Sequence, residues 1–229
     1  MHRARTVLAT ILPLYLALFG VCSGLWSTDS FASDANEPAP DGLVALMEFF
    51  ARSGNVRARF QESRHISILT DPIETDGVLY FAPPDRLARH TTRPGRSSIV
   101  VIAGRVSFGD ETGHRSFDIS TSEVAQTLVS NLMVVLRGDL KSLRARYSIE
   151  FMTEPEGWIL DLEPRSRALR DIIERIRFTG RGRNLGTMET RESNSDTTIT
   201  TFSDVETELT WETSESERIF SLRLSDATP

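Results

Sequence analysis

Three histidines in the body of this 229-residue chain, His65, His90 and His114, are of a type that could carry chemistry. An imidazole acts as general base or metal ligand only with a partner held close by. None of the three forms a metal-ligand motif with its neighbours in sequence. Each falls on or beside a predicted strand, where an ordinary polar strand residue is the plainer reading, although neighbouring strands could still bring them together. Asp161 and Glu163 share one face of a strand, and a solvent-facing pair is expected there in preference to an acid–base pair. Gly180-Arg181-Gly182-Arg183 lacks the helix that a phosphate loop requires, so a solvated turn is expected. No G-x-S-x-G elbow and no H-E-x-x-H helix occurs. Cys22 is the one cysteine. A chain cleaved after Ala32 would carry no thiol, hence no disulfide, zinc–thiolate or cysteine nucleophile. The expectation is a protein without catalytic residues, metal or cofactor.

The residues that stand out instead are apolar. Leu46, Met47 and Phe50 share one face of a predicted helix. Phe60, Tyr80, Phe81, Phe151 and Trp158 fall on predicted strands. Leu128, Leu132 and Leu136 fall on one stripe of a second helix. These eleven are the candidate lining for a greasy ligand, against the ordinary alternative of a filled core. An acyl chain of ~14 carbons buried at ~0.8 kcal/mol per methylene could gain up to ~11 kcal/mol before ordering costs.

The elements that would position them follow from periodicity. Asp41 is placed to cap a helix from Gly42 to about Arg52, with Gly54 as the stop. Val56, Ala58 and Phe60 then alternate with polar residues, which predicts a long strand from Val56 to Leu69. Strands are expected at Gly77–Ala82, Leu87–Thr92, Ser97–Ala103, Val106–Gly109 and His114–Ile119, with Pro and Gly turns between them. A helix over Ser122–Arg137 interrupts the run, and Asp139–Leu143 adds a turn. Strands resume at Ala145–Met152 and Trp158–Leu162. Over 168–175 a strand beginning after Asp171 is preferred to a short helix. Leu185–Arg191 and Thr197–Phe202 form a hairpin, and Ile219, Phe220 and Leu222 read as an edge strand. About ten or eleven antiparallel strands in one sheet should curl. The fold class is therefore mainly β (α+β), with a concave apolar interior partly vacant for a guest and two amphipathic helices closing it.

The N-terminus reads as an export signal over residues 1–32. Arg3 and Arg5 precede the apolar run Val7–Val21, and Ser30-Phe31-Ala32 supplies the small-x-small cleavage pattern. A polar, disordered leader (33–41) and a single domain (42–224) would follow. The formal charge of −6 becomes about −7 once the signal leaves, which argues against nucleic acid and anionic membranes as main partners. Arginines are dense from Arg137 to Arg183 and acids from Glu189 to Glu217. The expected compartment is the periplasm. Cys22 leaves open a lipid-modified form anchored at the inner leaflet of the outer membrane, although Val21 fits the lipoprotein signal poorly.

Five stretches, in order, resemble the LolA/LolB superfamily of periplasmic outer-membrane lipoprotein carriers, and a divergent LolA-related branch most of all. Val56-Arg57-Ala58-Arg59-Phe60-Gln61-Glu62 is similar to the family's F-x-Q strand. Gly77-Val78-Leu79-Tyr80-Phe81-Ala82-Pro83-Pro84-Asp85-Arg86-Leu87 resembles its G-x-L-x-F-x-x-P-x-x-L motif. The stretch from Ser98 to Val106 resembles its glycine hairpin. A mid-chain helix ends at Gly138-Asp139, and Trp158-Ile159-Leu160-Asp161-Leu162-Glu163-Pro164 resembles its W-x-L-x-L-x-P strand. The resemblance covers about Gly42 to Phe202. It implies an incompletely closed, strongly curved barrel of eleven strands with helices as a lid. It also implies non-enzymatic carriage, by a monomer, of an acylated lipoprotein or lipid cargo from an inner-membrane donor to an outer-membrane acceptor. The alternatives are a LolB-like acceptor tethered through Cys22 and a lipid- or polyketide-processing enzyme on the same fold. The family's lid arginine stands just before the motif's proline. Here that position is Pro83, and Arg86 is close by.

Overall fold

Alternation of apolar and polar residues dominates the chain, and in the computed structural model it produces eleven strands. The structure describes residues 42–119 and 132–223. The expected signal, the leader, Cys22, Asp41, Leu128 and the first part of the second helix lie outside the described residues. The strands are β1 (Asn55–His65), β2 (Ile73–Ala82), β3 (Arg86–Arg93), β4 (Ser97–Ile102), β5 (Arg105–Asp110), β6 (Gly113–Asp118), β7 (Tyr147–Glu154), β8 (Gly157–Pro164), β9 (Ile173–Arg181), β10 (Asn184–Glu192) and β11 (Thr197–Leu209). They form one sheet in the order β6-β5-β4-β3-β2-β1-β11-β10-β9-β8-β7. Two meanders thus meet where β1 pairs with β11, with Phe60 opposite Phe202. The sheet is a curved, open barrel, and β6 and β7 remain its edges. Those edge strands are consecutive in the chain yet lie at opposite ends of the sheet order.

The helices are α1 (Leu43–Arg52), α2 (residues 132–136), α3 (Leu140–Arg146), α4 (Arg167–Arg170) and α5 (Thr213–Ile219). In α1 an apolar face at helical spacing buries Leu46, Met47 and Phe50. Its N-cap is Gly42, with no side-chain hydrogen bond. Asp139 caps α3 by accepting from the Ser142 backbone N–H at 3.0 Å. Those Ser142 hydrogen bonds, the hydroxyl's first, hold the Asp139 carboxyl below its ordinary range. Among the described residues no helix is long and apolar enough to cross a membrane.

Four local expectations differ from the structure. The turn at Asp139–Leu143 is a helix that runs on to Arg146, delaying the next strand to Tyr147. The stretch 168–175 divides into both alternatives, α4 capped by Ser166 and then β9 from Ile173. Strand β1 ends at His65, short of Leu69. The expected edge strand at Ile219, Phe220 and Leu222 is instead the end of α5 and the segment after it. Ile219 and Phe220 pack on Ala82, Ala88 and Val100 in a second, small core. That core lies on the sheet face opposite the main one. Leu79 and Phe81 join the main core while Tyr80, between them on β2, joins the small one, as strand alternation requires.

Candidate functional site

The main core lies between the concave face of the sheet and the helices. On the sheet side it includes Phe60, Leu79 and Phe81 from one meander and Trp158, Leu160, Ile176 and Phe178 from the other. On the helix side it takes Leu46, Met47 and Phe50 from α1 and Met133, Val134, Val135 and Leu136 from the α2 segment. Of the eleven residues expected to line a ligand site, Leu46, Met47, Phe50, Phe60, Phe81, Leu136 and Trp158 are buried in this one cluster. Leu132 and Phe151 pack against it while partly exposed. Leu128 lies outside the described residues. Tyr80 faces the opposite side of the sheet, against Trp211 at 5.9 Å between rings.

Sequence reasoning passed over Leu79, Leu160, Leu162, Ile176 and Phe178, which are as deeply buried as the residues it chose. Strand parity carried the signal: Trp158, Leu160 and Leu162 alternate on β8. In Val78-Leu79-Tyr80-Phe81 every residue is apolar, so composition alone could not say which positions face inward.

Three contacts hold the helices on the sheet, and a fourth holds α2 to α1. The Phe50 ring meets the Trp158 ring edge-on at 6.2 Å. Trp158 is fixed in turn by its indole N–H, which donates to the Gly182 carbonyl at 3.0 Å. Arg183, in the same turn, lies over the Phe49 ring of α1 at 5.1 Å. The stretch 180–183 ends in a turn with Arg181 and Arg183 exposed, as expected, and it also touches α1 through Arg183. At the C-terminus of α2, Gly138 (φ +64°) presses so closely on α1 that a Cβ would stand 1.9 Å from the Met47 carbonyl oxygen. Finally, Arg137 donates from Nη1 to the Pro84 carbonyl at 3.4 Å, joining the end of α2 to the turn between β2 and β3.

Polar chemistry is sparse. His65 and His114 are exposed. His90 is buried on the opposite face. Its Nε2 lies 2.7 Å from the Ile219 carbonyl and its Nδ1 2.9 Å from the Ser98 hydroxyl. Because a carbonyl only accepts, Nε2 carries the proton and Nδ1 accepts from Ser98. Burial, aided by the charge of Arg223 and opposed by the Ile219 hydrogen bond, pushes the imidazole down to about 4. Asp161 is not solvent-facing as expected: both its oxygens accept from Arg177, at 2.7 and 2.6 Å. These hydrogen bonds hold the guanidinium above its ordinary pKa. Among the described residues no three His, Cys, Asp or Glu gather as a metal site.

Residues 38–216 match the family model described as "Outer membrane lipoprotein carrier protein LolA-like". The chain belongs to this LolA-like family. No curated protein matches it in sequence. Among solved structures it is similar to a DUF1329 family protein from Desulfovibrio piger, at 12% identity, covering 77% of this chain and 96% of that one, with a TM-score of 0.44. It is similar to a LolA superfamily protein from Nitrosomonas europaea at 8% identity, over 77% and 96% of the two chains, with a TM-score of 0.40. It also resembles MucB, at 11% identity over 80% and 64%, with a TM-score of 0.47. Within this LolA-like frame, Arg86 does not reach the helices over the concave face. It donates to the Ser216 hydroxyl at 3.1 Å and lies over the Phe220 ring at 4.1 Å, so it holds α5.

Proposed function

We propose that this LolA-like protein is a periplasmic carrier, which takes acyl chains of a lipoprotein or lipid-like cargo onto the concave face and delivers them toward the outer membrane. The observation that carries the reading is the double use of one apolar surface. Leu46, Met47 and Phe50 of α1 cover a sheet face whose barrel stays open between β6 and β7. Burying three such side chains is worth roughly 5–9 kcal/mol, close to what an acyl chain gains in their place. Cargo and helices can therefore exchange on that face with a small net free energy, as a carrier that must release its load requires. Donor, acceptor and monomeric state belong to the same proposal. The family's description as a lipoprotein carrier supports it.

Native mass spectrometry of protein purified from its own host tests the reading. Adducts with the masses of acyl-bearing molecules, lost from a Leu46→Asp/Phe50→Asp variant, are expected. Protein that carries no lipid and takes up no fatty-acid probe would contradict it. The tethered-acceptor alternative is separated by intact mass, since it requires a chain beginning at Cys22 with added acyl groups.

A further inference from the structure

The opposite face of the sheet holds a cavity of about 1190 Å³, bounded by β1–β4, the end of β11 and the C-terminal segment around α5. Pockets of some 300–1,000 Å³ accommodate organic ligands. Its outline is cationic in a chain of net charge −6. Arg57, Arg96, Arg218 and Arg223 face two acids, Glu206 and Glu215. Arg57 and Glu206 are paired with each other at 3.0 Å. Among the described residues neither Arg218 nor Arg223 has a carboxylate partner, and the Arg223 guanidinium lies beside the floor, 5.8 Å from the centre of the Tyr80 ring. The floor is different in kind. Tyr80 and Trp211 meet edge-on at 5.9 Å, and Trp211 meets Phe220 at 5.8 Å. Ile219 and Leu222 add aliphatic surface.

The cavity walls are fixed by packing. Ile219 and Phe220 are anchored in the small core, Arg86 lies across the Phe220 ring, and His90 bonds the Ile219 carbonyl. The Ser98 hydroxyl accepts the Arg223 backbone N–H at 3.1 Å, which holds that arginine at the rim.

We propose that this cavity is a second ligand site, for a small organic anion whose aromatic or alicyclic body rests on Tyr80 and Trp211 while its carboxylate or phosphate meets Arg218 and Arg223. The aromatic floor selects the body by edge and face contacts. The arginines select the charge and offer planar, two-pronged hydrogen bonding. On the other side of the sheet the core is apolar, and Arg89, which lies over the Phe60 ring, is already paired with Glu62 at 2.9 Å. The two sites thus take chemically different ligands.

The three tryptophans, Trp26, Trp158 and Trp211, make the test direct. Trp211 lines the cavity and Trp158 the main core. In ¹⁵N-labelled full-length protein the three indole resonances are followed, Trp211 being assigned with Trp211→Phe. Titration with 2-naphthoate should shift the Trp211 indole and leave Trp158 in place. The uncharged 2-naphthamide should bind at least tenfold more weakly. Arg218→Gln with Arg223→Gln changes two exposed side chains, and should weaken 2-naphthoate about tenfold at an unchanged melting temperature. A Trp211 resonance that does not move would overturn the proposal, as would movement of Trp158 alone. Equal affinity for the amide, or full affinity in the double variant, would overturn it too. So would binding only to phosphatidylglycerol vesicles, which would make the patch a membrane contact.

Discussion

Two residues, one on each face of the sheet, show how single positions decide the packing. Gly138 has a left-handed backbone and no space for a side chain beside the Met47 carbonyl. Gly138→Ala should cost about 2 kcal/mol or more, since it combines a positive φ with a backbone clash; a denaturant midpoint unchanged from the parent protein would refute this. His90 is the other. Its ordinary pKa is 6.5, and in the fold it sits at about 4. The folded state therefore prefers the neutral ring. The stabilisation is fully present above pH 6.5 and is lost as pH falls from there toward 4, up to about 3 kcal/mol. The groups facing the ring are the Ser98 hydroxyl of β4, the Ile219 carbonyl of α5, Arg223 and the Tyr80 ring of β2. No carboxylate among them could stabilise a protonated ring. Urea titrations at pH 7.5 and 4.5 should show this loss in the parent protein and a flatter dependence in His90→Gln. Equal slopes in the two would contradict it. The burial of His90 was not legible in the sequence, because its partners lie 8 and 129 residues away.

Elements were legible where one periodicity held. Alternation in Val56-Arg57-Ala58-Arg59-Phe60 marked β1, and the spacing of Leu46, Met47 and Phe50 marked α1. The reading failed at Ile219-Phe220-Ser221-Leu222, where a short apolar run looks the same as an edge strand or as the buried end of a helix. What decides it is tertiary: Phe220 fits under Arg86 and onto Ala88 and Val100. Phe220→Ala should therefore cost about 3 kcal/mol locally and release α5. Hydrogen exchange should quicken in residues 213–223 while β8 and β9 stay protected, and uniform quickening would show that α5 is integral to the main core. On the helix side, Arg137 donates to the Pro84 carbonyl in the turn between β2 and β3. If that contact helps keep the helices down, Arg137→Ala should speed exchange in α1 and raise the association rate of a fatty-acid probe a few-fold. No change in either would assign Arg137 a surface role only.

On the scale of the molecule, two meanders sewn together at β1 and β11 leave the barrel open, with β6 and β7 as its edges. Regular turn signals made the strand number and the antiparallel class readable. The division of labour between faces was not readable, because it depends on which side of the sheet α5 covers. The described concave face is packed by α1 and α2 in this structure, and the two cavities described around its strands lie on the other face. Carriage thus requires the helices to yield to cargo. Saturable quenching of Trp158 by 9,10-dibromostearate, in protein carrying Trp26→Phe and Trp211→Phe, measures that exchange directly. The account predicts quenching at micromolar ligand that fades in Leu46→Asp/Phe50→Asp. Fluorescence that stays constant while the protein remains folded would mean that acyl chains never reach the concave face.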